Sequence, residues 1–264
     1  MHFTKMHGLG NDYLYVFGEV PENIVDLSVK LSDRHFGVGS DGMIYICPSD
    51  KADFQMRIFN ADGSEAMMCG NGIRCVGKYV YDKGYTDKTE LNIDTLSVIK
   101  DLKLTVTDGK VTEVTVGMGQ VVVSDKKSVE TVEGSWELLP VNVGNPHAVI
   151  FTDAAEELPI DKIGPQIEHH PEFPGGVNVE FVKVLGGNRV RMRVWERGSG
   201  ITMACGTGAC ATAAASVKAG FCRMEEPVQV VLDGGTLSIR VMADGSVQMT
   251  GPAEKVCEGD VEEC

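Results

Sequence analysis

CGNGIRCVGKYVYDKG at residues 69–84 and CGTGACATAAASVKAG at residues 205–220 decide the fold of this chain. Each begins Cys-Gly-polar-Gly, continues as a helical pattern and ends in Gly shortly after a Lys, a sound helix-stop signal. Sliding the chain by 136 residues lays Cys69 on Cys205, Gly70 on Gly206, Asn71 on Thr207 and Gly72 on Gly208. The same shift lays Gly84 on Gly220 and Tyr85 on Phe221, and FQMRIFN (54–60) on the strand-like run at 190–196. With a drift of one or two positions, GVGSDGMIYI (37–46) meets GGVNVEFVKV (175–184), and GLGND (8–12) meets NVGNPH (142–147). The shared order is Gly-Asn turn, strand, Gly-rich turn, two strands, Cys-Gly-x-Gly, helix, C-terminal Gly. A repeat at a fixed period reads as one unit used twice, here as two domains of one topology related by a pseudo-twofold axis. The division expected is 1–117, joined by the C-terminal residues 251–264, and 118–250.

Strand patterns dominate between these helices. FQMRIF (54–59), LKLTVT (102–107), KVTEVTVGM (110–118), AVIFT (148–152), VNVEFVKV (177–184), RVRMRVW (189–195), VQVVL (228–232) and TLSIRVM (236–242) alternate or are rich in β-branched residues. Turn signals separate them: TDG at 107–109, LGG at 185–187, LDGG at 232–235 and ADG at 243–245. PENIVDLSVKLSDRH (21–35) reads as a third helix, and DKIGPQIEHHP (161–171) as a short, interrupted fourth. The fold class expected is α+β, mixed within each domain.

Composition narrows the function. The 264 residues are 43% hydrophobic and 23% charged, as in ordinary globular proteins, and the formal net charge is −14. A field of that sign repels phosphate backbones and anionic lipid, so neither nucleic acid nor membrane is an expected partner. No apolar run reaches the roughly 18–20 residues of a membrane helix. MHFTKMHGLGNDY at the start has no signal-peptide core. The expected compartment is the cytoplasm, where the eight cysteines are thiols. No CxxC pair or HxxxH occurs, so no metal site is expected.

The chemistry of the two motifs follows from where they sit. The first turn of a helix presents unpaired backbone N–H groups and a partial positive charge. Glycines there let a ligand come close, and such an end binds carboxylate or phosphate. It also favours the thiolate of a cysteine at its mouth. A small buried cysteine in a tight strand-to-helix turn is the plain alternative for one motif. Two motifs at matched places argue for a pair of thiols serving one ligand from opposite sides. One thiolate takes a proton from a carbon while a thiol delivers one to the other face. The result is inversion of a stereocentre without metal or cofactor.

The stretch NADGSEAMMCGNGIR (60–74) resembles the signature of the diaminopimelate epimerase family, and ERGSGITMACGTGACA (196–211) resembles that family's second half-site. HGLGNDY (7–13), RHFGVGSDG (34–42), NVGNPHAV (142–149) and GGVNVEF (175–181) fall in the family's order. The resemblance runs from residue 2 to about 252. It implies two similar domains, each a curved, mostly antiparallel sheet or barrel around a central helix, with the active site in a cleft between them. It implies interconversion of LL- and meso-2,6-diaminopimelate without pyridoxal phosphate or any other cofactor, by a homodimer. Cys69 and Cys205 are then the acid/base thiols, with His147 assisting Cys69 and Glu196 assisting Cys205. Asn11, Asn60, Asn145, Asn178, Glu196 and Arg197 match positions that hold the substrate, and Gly70, Asn71, Gly206 and Thr207 those that receive the reacting carboxylate. A bidentate grip on a carboxylate suits Arg197.

Proline and hydroxyproline racemases are the rival reading, since they resemble this fold and also use paired cysteines. Asn60, Asn178, Glu196 and Arg197 favour a substrate with a second amino-acid end. One departure is that some relatives carry Gln where this chain has Gly42, so that contact is not made here. Cys75, Cys210 and Cys222 read as core, His35, His169 and His170 as surface or structural, and Asp62 as turn-forming. Cys257 and Cys264 fall in EKVCEGDVEEC, read as a solvated acidic tail in which KVCEG could add an edge strand.

Overall fold

The computed structural model describes residues 1–262, so Cys264 lies outside the described residues. The chain forms two compact units, one of Met1–Val116 with the chain from Gly251 on, the other of Gly117–Thr250.

The first unit runs β1 (His2–Gly8), β2 (Asn11–Phe17), α1 (Ile24–Ser32), β3 (Gly42–Cys47), β4 (Phe54–Asn60), β5 (Glu65–Ala66), α2 (Gly70–Asp82), β6 (Glu90–Asp94), β7 (Lys100–Thr107) and β8 (Lys110–Gln120), whose last residues belong to the second unit. β1 and β2 form a hairpin, and β2 pairs in parallel with β3 after the α1 crossover. β3 and β4 are antiparallel, β4 and β6 parallel across α2, and β6, β7 and β8 antiparallel in sequence. Leu14, Met43, Tyr45 and Phe59 of the sheet are buried with Ile24 and Leu31 of α1. On the other helix, α2 packs on β1, β2 and β7.

The second unit adds β9 (Val122–Val123), β10 (Lys127–Thr131), β11 (Gly134–Asn142), β12 (Pro146–Phe151), α3 (Ile160–Glu168), β13 (Asn178–Gly186), β14 (Arg189–Glu196), β15 (Gly200–Ile201), α4 (Gly206–Lys218), β16 (Val228–Leu232), β17 (Gly235–Val241) and β18 (Ser246–Gly251). Its topology repeats the first. β11 and β12 are antiparallel, β12 and β13 parallel across α3, β13 and β14 antiparallel, β14 and β16 parallel across α4. β16, β17 and β18 close the series as antiparallel neighbours. Strands β9, β11, β12, β13, β14, β16 and β17 all touch α4. Each unit is therefore a mixed, mostly antiparallel sheet with a helix at its centre, the α+β class read from the sequence.

The two central helices end alike. The backbone N–H of Gly84 donates to Tyr81 and that of Tyr85 to Val80; Gly220 donates to Val217 and Phe221 to Ser216. This is the Schellman arrangement, which needs a left-handed residue, and Gly84 and Gly220 sit at φ 77° and 78°.

One sequence expectation changes, and one of two alternatives is decided. DKIGPQIEHHP holds one unbroken helix, Ile160–Glu168, with Pro165 inside it. Ile160, Ile163 and Ile167 pack into the second unit's core beside Val179 and Phe181. Burial of that apolar face outweighs the one backbone donor Pro165 removes. In the acidic tail the edge-strand alternative is the one formed: Glu254–Asp260 make β19, antiparallel to β1 along His2–His7. Its side chains are mostly exposed, but its backbone satisfies the edge of β1, and Cys257 stands on it exposed.

Candidate active site

In the first unit, Cys69 is the N-cap of α2, with extended φ/ψ of −136° and 116°, and its Sγ accepts the backbone N–H of Gly72. The same thiol lies 3.3 Å from Asn11 Oδ1, to which it donates. Asn11 follows a two-residue turn, Leu9-Gly10, with both residues at positive φ (59° and 89°). A leucine held there is costly, and its buried side chain retains it. Asn11 Nδ2 donates to Asp41 Oδ2 at 2.8 Å, so the amide is fixed with its oxygen toward the thiol. Asp41 also receives Arg34, which bridges to Asp12, and Lys5 stands 2.9 Å from Asp12. Burial pulls the Asp12 carboxyl up, but Arg34 and Lys5 together hold it below the usual carboxylate range. Tyr13 lies beside Cys69 and Asn11, and burial, then Cys69, pushes its hydroxyl far above the ordinary phenol range.

Gly70 and Asn71 open the first turn of α2, which carries no acidic residue. Fully buried Arg74 donates to the carbonyls of Gly70 and Pro252, bracing that turn against the chain leading into β19. Asn60, at the end of β4, donates to Ser64 Oγ at 3.0 Å, within the turn read around Asp62.

Gly42 faces Asn60 across β3 and β4. Its φ is 154°, and a Cβ built there would stand 2.2 Å from Phe59 O and 3.0 Å from the Tyr13 ring. A larger residue cannot be added without moving backbone. Gly42→Ala is expected to lose about 2–4 kcal/mol, the sum of backbone strain and overpacking. Thermal unfolding checks this; a midpoint unchanged within a degree would contradict it.

The second unit repeats the cysteine geometry. Cys205 is the N-cap of α4, with φ −108° and ψ 111°, and accepts the N–H of Gly208 at 3.3 Å. Again the first turn, Gly206 and Thr207 onward, has no acidic residue. Thr207 Oγ1 is 3.6 Å from Cys205 Sγ and receives Asn145 Nδ2 at 3.3 Å. Asn145 Oδ1 meets His147 Nε2 at 3.0 Å, and His147 Nδ1 meets Glu180 Oε1 at 2.6 Å. Glu196 accepts a close hydrogen bond from Thr202 and faces Cys205. Burial raises its carboxyl above the ordinary value, while the hydrogen bonds from Thr202 and Cys205 pull the other way. Asn178 accepts the backbone N–H of Arg197 at 3.0 Å and donates to Pro146 O, tying the two strand ends. Arg197 Nη1 donates to Gly175 O, and Glu168 holds the next residue through Gly198 N.

At Cys205 the surroundings favour the thiol over the thiolate. Burial first, then the carboxylates of Glu196 and Glu180, push its thiol well above the ordinary cysteine value, beyond what the hydrogen bonds from Thr207 and Gly208 restore. The helix end is outweighed by desolvation. Cys75 is fully buried and pushed up to about 11 by the same cause, and Cys210 is also buried. Cys69 alone of the two capping thiols is part-exposed. Brief iodoacetamide treatment near neutral pH is therefore expected to modify Cys69 roughly tenfold faster than Cys75, Cys205 or Cys210. Peptide mass spectrometry decides; equal rates would contradict the assignment.

Of the residues named from the sequence, the structure joins Cys69 to Asn11 in one unit, and links Cys205, Thr207, Asn145 and His147 in a single chain in the other. Sequence reading missed Tyr13, Asp41 and Glu180. For Glu180 one signal existed: a lone acid inside the apolar run VNVEFV.

The family model described as Diaminopimelate epimerase matches residues 3–124 and 139–256. A diaminopimelate epimerase of Acetivibrio thermocellus is 51% identical, with 99% of each chain covered. One of Methanococcus maripaludis is 49% identical, covering 99% of this chain and all of that one. Among solved structures, a phenazine biosynthesis protein of the PhzF family from Bacillus anthracis superposes with a TM-score of 0.79 at 16% identity, covering 100% and 99% of the two chains. A hydroxyproline epimerase from Agrobacterium vitis gives 0.72 at 17%, covering 98% and 91%. At such identities these two share the fold.

Proposed function

The chain belongs to the diaminopimelate epimerase family, and from that premise we propose that it interconverts LL- and meso-2,6-diaminopimelate by proton transfer between two thiols. The observation that carries the reading is the matched pair of cysteine N-caps, each with its sulfur on the N–H three residues on.

The substrate's reacting carboxylate sits at the acid-free first turns of α2 and α4, against Gly70, Asn71, Gly206 and Thr207. Helix-end N–H groups there stabilise charge that builds on the carboxylate as the α-proton leaves. One cysteine sulfur, as thiolate, forms an S–H bond as the C–H bond breaks. The opposite thiol gives its proton to the other face of the carbon and becomes the thiolate. Atoms and charge balance, and the enzyme is left with its two protonation states exchanged. Glu196 and His147 return the protons, Glu196 acting on Cys205, which it faces. Arg197 takes the distal carboxylate, and Asn11, Asn60, Asn145 and Asn178 supply amide partners to the far end. The proposed chemistry uses these side chains and the helix-end N–H groups, with no cofactor. The active species is a homodimer in the cytoplasm; sedimentation at micromolar concentration tests the assembly.

The deciding experiment incubates reduced protein, without pyridoxal phosphate, with LL-diaminopimelate and separately with L-proline and trans-4-hydroxy-L-proline. Formation of meso-diaminopimelate alone is expected. Inversion of the cyclic amino acids, with diaminopimelate untouched, would overturn the reading in favour of the racemase alternative.

A further inference from the structure

Glu180 is an acid in the wrong place for a core. It lies in the middle of β13, fully buried, flanked by Val179 and Phe181 with no exposed surface of their own. Its Oε1 lies 2.6 Å from His147 Nδ1, and both side chains are wholly out of solvent. The second oxygen, Oε2, has no hydrogen-bond partner among the described residues. A buried acid costs free energy unless it is paired and used.

Its neighbours say what it is used for. His147 Nε2 faces Asn145 Oδ1, a carbonyl that only accepts, so that nitrogen carries a hydrogen. The amide end of Asn145 then points to Thr207 Oγ1, and Thr207 to Cys205 Sγ. The first turn of α4 rests on the same group: a Cβ on Gly208 would stand 2.8 Å from Glu180 Oε1 and 3.1 Å from Cys205 Sγ. Glu180 thus sits at the inner end of a chain of hydrogen bonds, and the thiol at its outer end.

We propose that Glu180 is a positioning residue for the epimerisation: by sharing one hydrogen with Nδ1 of His147 it keeps a second on Nε2 and so orients Asn145 and Thr207 against Cys205. This rests on the thiol reading above. The partner on one ring nitrogen decides what the other presents. One hydrogen lies between Nδ1 and Oε1, and a second is donated to Asn145. Without the acid, the ring can place its single hydrogen on Nδ1, Asn145 turns over, and Thr207 no longer meets the thiol in the same way.

The test uses Glu180→Met, which keeps the volume and removes the partner, and Glu180→Gln, whose amide N–H can still meet Nδ1. Glu180→Met is expected to lower kcat roughly 30- to 100-fold, within the range set by a correctly presented acid–base group, with KM changed less than about threefold. Glu180→Gln is expected to recover to within about fivefold of the starting protein. Nitrogen NMR of histidine-labelled protein reads the tautomer without substrate. Hydrogen on Nε2 of His147 is expected in the unaltered protein and in Glu180→Gln, and a mixture of tautomers in Glu180→Met. Full kcat in Glu180→Met, equal losses in both variants, or hydrogen absent from Nε2 of the unaltered protein would each overturn the proposal. If Glu180→Met fails to fold, the NMR of the other two proteins decides alone. A protein inactive on diaminopimelate with hydrogen on Nε2 as expected would sink the thiol reading, and the positioning role in catalysis with it, and leave only the Glu180–His147 arrangement standing.

Discussion

Serine at Cys69, or at Cys205, leaves a folded protein that no longer inverts LL-diaminopimelate, with kcat down on the order of 10⁴-fold in either variant. The two replacements test function apart from folding for a structural reason. Each sulfur accepts the N–H three residues on and caps a buried helix. Alanine would lose that cap, worth about 0.5–2 kcal/mol, and confuse lost activity with lost stability. Serine is a good cap, so α2 and α4 keep their first turns. It is a poor acid and base at neutral pH, so the proton transfer on its face stops. Because each thiol serves one face of the carbon, losing either one halts both directions equally. Circular dichroism and a thermal midpoint within about 2 °C of the unaltered protein, a shift of order 1 kcal/mol or less, would certify the fold. Either serine variant retaining a tenth of kcat would contradict the two-base assignment.

Replacing Glu196 by Gln is expected to move two observables in opposite directions. Turnover falls roughly 10²- to 10³-fold, because the carboxylate that exchanges a proton with Cys205 is gone. Thiol reactivity at Cys205 rises. Its thiol stands well above the ordinary value of 9.0, for which burial is the main cause and Glu196 the next. A raised value means the thiolate, and so alkylation, appears only as pH climbs past that value. Removing the Glu196 charge lowers it, and the alkylation curve of Cys205 shifts toward lower pH. Burial remains, so the curve does not reach that of an exposed cysteine. A curve that shifts upward, or a variant with unchanged turnover, would contradict the electrostatic account. The shift along the pH axis matters more than the signs, because general loosening of the site would also raise reactivity and lower turnover but without this dependence on pH.

How much of this was legible in the sequence depended on whether the signal was local. The cysteine caps and the glycines at 84 and 220 were legible because a helix end is fixed by the few residues that make it. β7 was legible because its side chains alternate between buried and exposed. β3, GMIYIC, is buried on both faces and has no alternation to read. β19 was legible only as an alternative, for the opposite reason. Its exposed, charged side chains read as solvated tail, and what holds it is the backbone of β1, far away in sequence. The same distance hid the site's supports. Asp41 reads as one acid in a Gly-rich turn, and only folding brings it to the Asn11 amide. Glu180 reads as part of an apolar strand, and only the parallel pairing of β12 with β13 brings it beside His147. Which of the two thiols is the harder to ionise was not legible, because a sequence shows the helix end at Cys205 but not the burial that outweighs it. Gly42 was read as a contact forgone, and its cause is the Phe59 carbonyl, which leaves no room for a Cβ.

The central claim, two thiols on opposite faces of one carbon, is tested most directly by running the reaction in deuterated water. LL-diaminopimelate is followed by proton NMR and mass spectrometry from the first few per cent of turnover. The account predicts meso product carrying deuterium at the inverted carbon, while the remaining LL substrate keeps its hydrogen. A thiol proton supplied from the far face comes from solvent, and the one abstracted stays on the other sulfur. Deuterium entering the LL substrate as fast as product forms would mean one base serving both faces and would contradict it, as would product that retains the original hydrogen.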